Sequence, residues 1–96
     1  MIVDIDCRAV ACISDFWALY LLEVEPEGES FGKNVDALWD ALSAGGPGYP
    51  SKAKVLRLVN TDALKTLQDG EFYRKLVRIE QDLNDCGYTD ISLEVE

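Results

Sequence analysis

Histidine is missing from all 96 residues. Its absence removes the side chain that titrates nearest neutral pH and the commonest protein ligand for metals. Glu, Asp, Lys, Tyr and Cys remain available for chemistry, but an enzyme is not the expectation, and neither is a cofactor. Positive charge is also scarce: nine Lys and Arg stand against 18 Asp and Glu, a formal net charge of -9. Such a balance repels nucleic acid, whose binding draws on a surplus of cations, and it disfavours an anionic membrane surface. A basic protein is the natural partner, and charge would speed that encounter; charge by itself is better accounted for by plain solubility.

The three cysteines, Cys7, Cys12 and Cys86, are odd in number and contain no CxxC pair. They do not form the pattern of a disulfide framework, so a reducing, cytoplasmic setting is expected, with one bridge plus one free thiol as the alternative. Cys12 and Cys86 read as small core residues, because no base is identifiable near either. No basic segment followed by a long apolar stretch opens the chain, so no secretory leader is expected. The apolar run from Phe16 to Leu22 is far too short to span a bilayer. Neither a Walker-type loop nor a dinucleotide fingerprint is present.

What is present is one globular domain, residues 1–96, with 48% apolar residues. Ile2, Val3 and Ile5 predict a strand ending near Cys7. Ser14 is placed to cap a helix, with Asp15 in its first turn, and Phe16, Trp17, Leu19, Tyr20, Leu21 and Val24 make that helix apolar over much of its surface until Pro26 and Gly28 stop it. Asn34 caps a second helix through Val35, Leu38, Trp39 and Leu42 to about Ala44, followed by the breaker-rich loop Gly45 to Pro50. Val55, Leu56, Leu58 and Val59 read as a buried strand. Asn60 or Thr61 then caps a short helix through Leu64 and Leu67, closed by Gly70. Glu71 to Cys86 form a long helix with Phe72, Leu76, Ile79 and Leu83 on one face, ended by Gly87. Ile91, Leu93 and Val95 alternate as the last strand. Strands separated by helices imply an α/β fold: a small three-stranded parallel sheet with about four helices, in two or three layers.

The second helix carries the one constellation that stability does not ask for. At about 100° per residue, Val35, Leu38 and Leu42 define its core stripe. Trp39 lies at one edge, and Asp36, Asp40 and Ser43 lie beyond it on the same side. Asp36 and Asp40, one turn apart, repel at a cost to the helix of roughly 0.2–0.5 kcal/mol. Two carboxylates beside an aromatic edge suit a cation, a metal, or a pocket lined by Arg and Lys, and Arg binds carboxylates through two parallel hydrogen bonds. Spacing by itself favours an ordinary solvated acidic face. The carboxylates Glu23, Glu25, Glu27 and Glu29 extend the acidic surface or simply solvate a loop. Tyr49 and Tyr73 are interface aromatics or roof the core.

The run Phe31-Gly32-Lys33-Asn34-Val35-Asp36-Ala37-Leu38-Trp39-Asp40-Ala41-Leu42 closely resembles the barstar family signature, Tyr-Gly-Glu-Asn-Leu-Asp-Ala-Leu-Trp-Asp-Ala-Leu. Nine of these twelve positions are identical. A shorter likeness opens the first helix at Ile13-Ser14-Asp15, and the element order and the turn from Gly87 into the last strand agree with it.

This resemblance implies a cytoplasmic protein, monomeric when free, that plugs the catalytic cleft of a small, basic, secreted guanyl-specific ribonuclease. Asp40 would take the place of the substrate phosphate, and Asp36 would pair with a second donor. Phe31, Gly32 and Asn34 would belong to the approaching loop, with Trp39 packing alongside and Ser43 offering a hydroxyl. A last-helix carboxylate, Asp82 or alternatively Glu80, would add a further contact. The chain departs from the family in three places. Ser30 replaces the first of an aromatic pair, Lys33 replaces a Glu, and the loop from Gly45 to Gly48 lacks a Trp. These changes allow an immunity module against another basic toxin as the alternative. A calcium or magnesium site built from Asp36, Asp40 and Glu80 or Asp82 is a more distant one.

Overall fold

The computed structural model describes residues 2–25, 32–45, 49–50, 54–86 and 91–96, with the side chain of Cys86 outside that set. In chain order the elements are β1 (Ile2–Asp6), α1 (Ile13–Val24), α2 (Val35–Ala44), β2 (Val55–Val59), a 3-10 segment (Thr61–Gly70), α3 (Glu71–Cys86) and β3 (Ser92–Val95). The sheet is parallel with spatial order β1-β2-β3, Ile5 lying opposite Leu58 and Leu56 opposite Leu93.

That order decides the layering. Both crossovers step across the sheet in the same direction, so right-handed connections place their helices on one face. Burial agrees. Ile5, Leu56, Leu58 and Leu93 are buried, whereas the alternate residues Ile2, Asp4, Asp6 and Glu94 are exposed. The fold is therefore two-layered. On the open face Arg57 grips Asp4 across the strand register with two hydrogen bonds, Nε to Oδ1 at 2.7 Å and Nη2 to Oδ2 at 3.1 Å. Those bonds hold the Asp4 carboxyl below its usual range.

The core lies between the sheet and the helices. Phe16, Trp17, Tyr20 and Val24 of α1 meet Phe72, Leu76, Ile79 and Leu83 of α3 and the inner strand residues. Phe16 packs edge-on against Trp17 at 4.9 Å and against Phe72 at 5.2 Å between ring centres. Such pairs add about 0.5–1.5 kcal/mol beyond their burial. Burial pushes the Tyr20 hydroxyl upward.

Four expectations need correction. Among the described residues the α-helices number three, not four, because Thr61–Gly70 is 3-10 and breaks before its end: Leu67 is extended and Gln68 and Asp69 are left-handed. Neither Asn60 nor Thr61 caps that segment through its side chain. Both side chains go elsewhere: the Thr61 hydroxyl donates to the Glu96 main-chain oxygen at 2.8 Å, and Asn60 Nδ2 donates to Asp6 Oδ1 at 2.9 Å while the Asn60 main-chain N–H donates to the Glu96 carboxylate at 2.8 Å. Ser14 is not the cap of α1. Cys12 holds that position without a side-chain bond to the helix N–H groups, its Sγ lying 3.1 Å from Ser14 Oγ instead, and Asp15 reaches back to accept the Ala11 N–H at 3.0 Å. Finally, Cys12 is exposed; the buried thiol is Cys7, and both are free. Burial, with help from the charges of Asp6 and Glu96, pushes the Cys7 thiol up to about 11. Pro26, Gly28, Gly46 to Gly48 and Gly87, assigned above as breakers, lie outside the described residues.

Candidate functional site: the acidic face of α2 and its groove

Helix α2 is fixed at both ends by its own residues. Asn34 sits extended, and its Oδ1 accepts the Ala37 N–H at 2.7 Å, satisfying one donor of the first turn. Its Nδ2 donates to the Gly32 carbonyl at 3.1 Å and folds the preceding loop onto the cap. At the other end Gly45 is left-handed at φ 73° and its N–H closes onto Ala41. Leu38, Ala41 and Leu42 are buried, which commits that stripe to the core.

With that face committed, Asp36 and Asp40 must point outward, and both are exposed. Neither forms an ion pair or side-chain hydrogen bond among the described residues. Trp39 is half-buried at the edge of the core stripe, packed against the core and lining the groove between α2 and α3. Ser43 is half-buried, and its hydroxyl donates to the Trp39 carbonyl at 2.6 Å, which leaves only its lone pairs for another molecule. Gly32 is exposed. A Cβ there would stand 3.1 Å from Ala37 Cβ and 3.3 Å from Asn34 Nδ2, so a larger residue would press on both where the loop approaches α2. Phe31 lies outside the described residues.

Between α2 and α3 runs a groove of about 450 Å³. Trp17, Trp39 and Phe72 supply its aromatic surface, and Asp36 and Asp82 stand on it together. This separates the two last-helix candidates. Asp82 belongs to the groove, half-buried, with Arg78 Nε 3.8 Å from its Oδ2. Glu80 lies elsewhere, its Oε2 accepting the Val95 N–H at 2.8 Å and holding β3 to α3. The structure thus brings Asn34, Asp36, Trp39 and Asp82 to one groove, and sets Asp40 and Ser43 further along α2, outside it.

Three cations on the same groove, Lys33, Lys75 and Arg78, were not singled out as site residues. The spacing of Lys75, Arg78 and Asp82, three and then four residues, did mark one helical face. Nothing local says that this face looks toward α2. Lys33 is held left-handed at φ 53° just before α2. Among the described residues no group of three His, Cys, Asp or Glu side chains is placed to hold a metal ion.

Comparison with known proteins agrees with the geometry. Among curated proteins no sequence matches. A family model described as Barstar (barnase inhibitor) matches residues 1–95, taking in the sheet, both walls of the groove and the capped acidic helix. Members of that family inhibit barnase-type enzymes and are not themselves enzymes. The chain belongs to the barstar family.

Proposed function

We propose that this chain inhibits a small guanyl-specific ribonuclease of the barnase kind by covering its basic active site, with Asp40 standing in for the RNA phosphate. The observation that carries this reading is the pair Asp36 and Asp40. They are exposed and one turn apart on a helix whose opposite face is buried, and no cation among the described residues is paired with them. Their mutual repulsion costs the free protein a few tenths of a kcal/mol, a cost that a cationic cleft would reverse. Asp36, Trp39 and Asp82 form the flank of the docking face, Gly32 and Asn34 set the loop beside it, and Ser43 contributes acceptor capacity only. A complex of standard size would bury roughly 800 Å² on each partner.

In this reading the protein acts in the cytoplasm of its producer, as a monomer before binding, and protects that cell from its own secreted enzyme. It contacts protein, not nucleic acid, and needs no cofactor. The three groove cations favour a second reading, in which the partner is a basic toxin of a different surface from barnase.

The test is RNA cleavage by a panel of small guanyl-specific ribonucleases, barnase included, titrated with the wild-type chain, Asp40→Ala and Glu23→Ala. Removing one partner of a charge pair buried in an interface costs roughly 2–5 kcal/mol. Asp40→Ala should therefore weaken inhibition about 30-fold or more, and Glu23→Ala should change it less than about threefold. Equal small effects of the two would overturn the anchor assignment. Absence of inhibition across the panel would shift the reading to another basic toxin.

A further inference from the structure

The groove is not acidic. In a chain of net charge -9 it gathers three cations against two carboxylates. Of these, Arg78 stands near Asp82, and its side chain is 81% exposed. Lys33 and Lys75 have no ion-pair partner among the described residues. Below them lie the rings of Trp39 and Phe72, low-dielectric material against which a fixed charge acts more strongly than in open water. Along α3, Lys75 and Asp82 are about 10 Å apart at 1.5 Å per residue. The groove therefore has a cationic, aromatic-backed stretch beside the purely acidic face of Asp40.

We propose that this stretch receives a carboxylate-bearing, apolar-flanked side-chain cluster of the partner ribonuclease, so that the interface pairs charges in both directions. The inference rests on the docking reading above and sharpens it. Asp40 and Asp36 draw in a basic cleft, while Lys33, Lys75 and Arg78 admit an enzyme with an acidic group beside that cleft and repel one with Arg or Lys there. Selection of one enzyme among many basic ones then comes from the repulsive element as much as from the attractive one.

Two experiments test it. The first needs no ribonuclease. Indole-3-acetate, an aromatic anion, and tryptamine, its aromatic cation counterpart, are titrated into the whole protein while the indole N–H signals of Trp17 and Trp39 are followed by NMR. The anion should shift them with weak affinity and bind about tenfold better than the cation, and the preference should reverse in Lys75→Glu/Arg78→Glu. Equal response to both probes, or none to the anion, overturns the groove assignment. The second measures inhibition of whichever ribonuclease the wild type blocks best. The double reversal should weaken it about tenfold or more, with circular dichroism confirming the fold at these two exposed positions. Unchanged or tighter inhibition overturns the proposal. Loss of effect from Asp40→Ala would instead count against the docking reading, so the two failures are separable.

Discussion

Asp40→Ala should make the free protein more stable while it ruins the inhibitor. Asp40 is exposed in the body of α2 and pairs with no cation among the described residues, so its removal leaves no cavity and no orphaned partner among them. Relief of the repulsion with Asp36 returns roughly 0.2–0.5 kcal/mol. Replacing Asp by Ala inside a helix returns up to about 0.7 kcal/mol in intrinsic propensity. The main-chain oxygen of Asp40, which accepts from Gly45 N–H, is unchanged. The sum is about 1 kcal/mol, a rise in Tm of about 4–8 °C for a domain of this size. Differential scanning calorimetry at neutral pH and low salt reads it directly, and added salt should shrink the repulsive share. A Tm that falls would show that Asp40 is held by an interaction within the fold, and would refute the view that this carboxylate is kept for a partner.

Other positions divide stability from binding in the same way. Glu80→Gln loses a charge-assisted bond to Val95 N–H and should cost about 1 kcal/mol in urea unfolding with inhibition unchanged, whereas Asp82→Asn should do the reverse. Gly32→Ala pushes a Cβ into Ala37 and Asn34, so it should loosen the cap of α2 by about 1 kcal/mol and weaken inhibition together. Asp4 is held below 3.8 mainly by its hydrogen bond to Arg57, and Asp6 by bonds from the Arg8 N–H and Asn60. Depressed carboxyls add stability that is present above about pH 4 and lost as pH falls through their folded values. Tm should decline below pH 4, and Asp4→Asn/Asp6→Asn should flatten that limb. Cys12 should alkylate rapidly with iodoacetamide, while Cys7, buried and raised to about 11, should react only on unfolding, as peptide mapping would show.

The sequence disclosed most where the signal was local. The alternation in β3, the stripe of α3 from Phe72 to Leu83 and the Asn34 cap of α2 all appear where the residues placed them. It failed where a distant group competed for the same atoms. Asn60 and Thr61 look like helix caps, but the Asn60 side chain donates to Asp6 and the Thr61 hydroxyl to the Glu96 main-chain oxygen, and the segment winds as 3-10 instead. Cys12 caps α1 by main-chain geometry alone, and no side-chain preference announces that. The acidic face of the site was legible because helical periodicity sets it. The groove beside it was only half legible: Asp82 could be named from the sequence, but nothing local says that Lys75 and Arg78 line the same groove as Asp36 and Trp39, which the packing of α3 against α2 decides.

The central claim is occlusion of a ribonuclease active site, and competition kinetics test it most directly. Initial rates of cleavage by the most strongly inhibited ribonuclease are measured over a range of RNA concentrations at several fixed concentrations of this chain. Phosphate mimicry by Asp40 predicts mutually exclusive binding: an apparent inhibition constant that rises in proportion to substrate, with kcat unchanged. An inhibition constant independent of RNA concentration, with kcat reduced, would mean that the chain binds away from the cleft and would contradict the account.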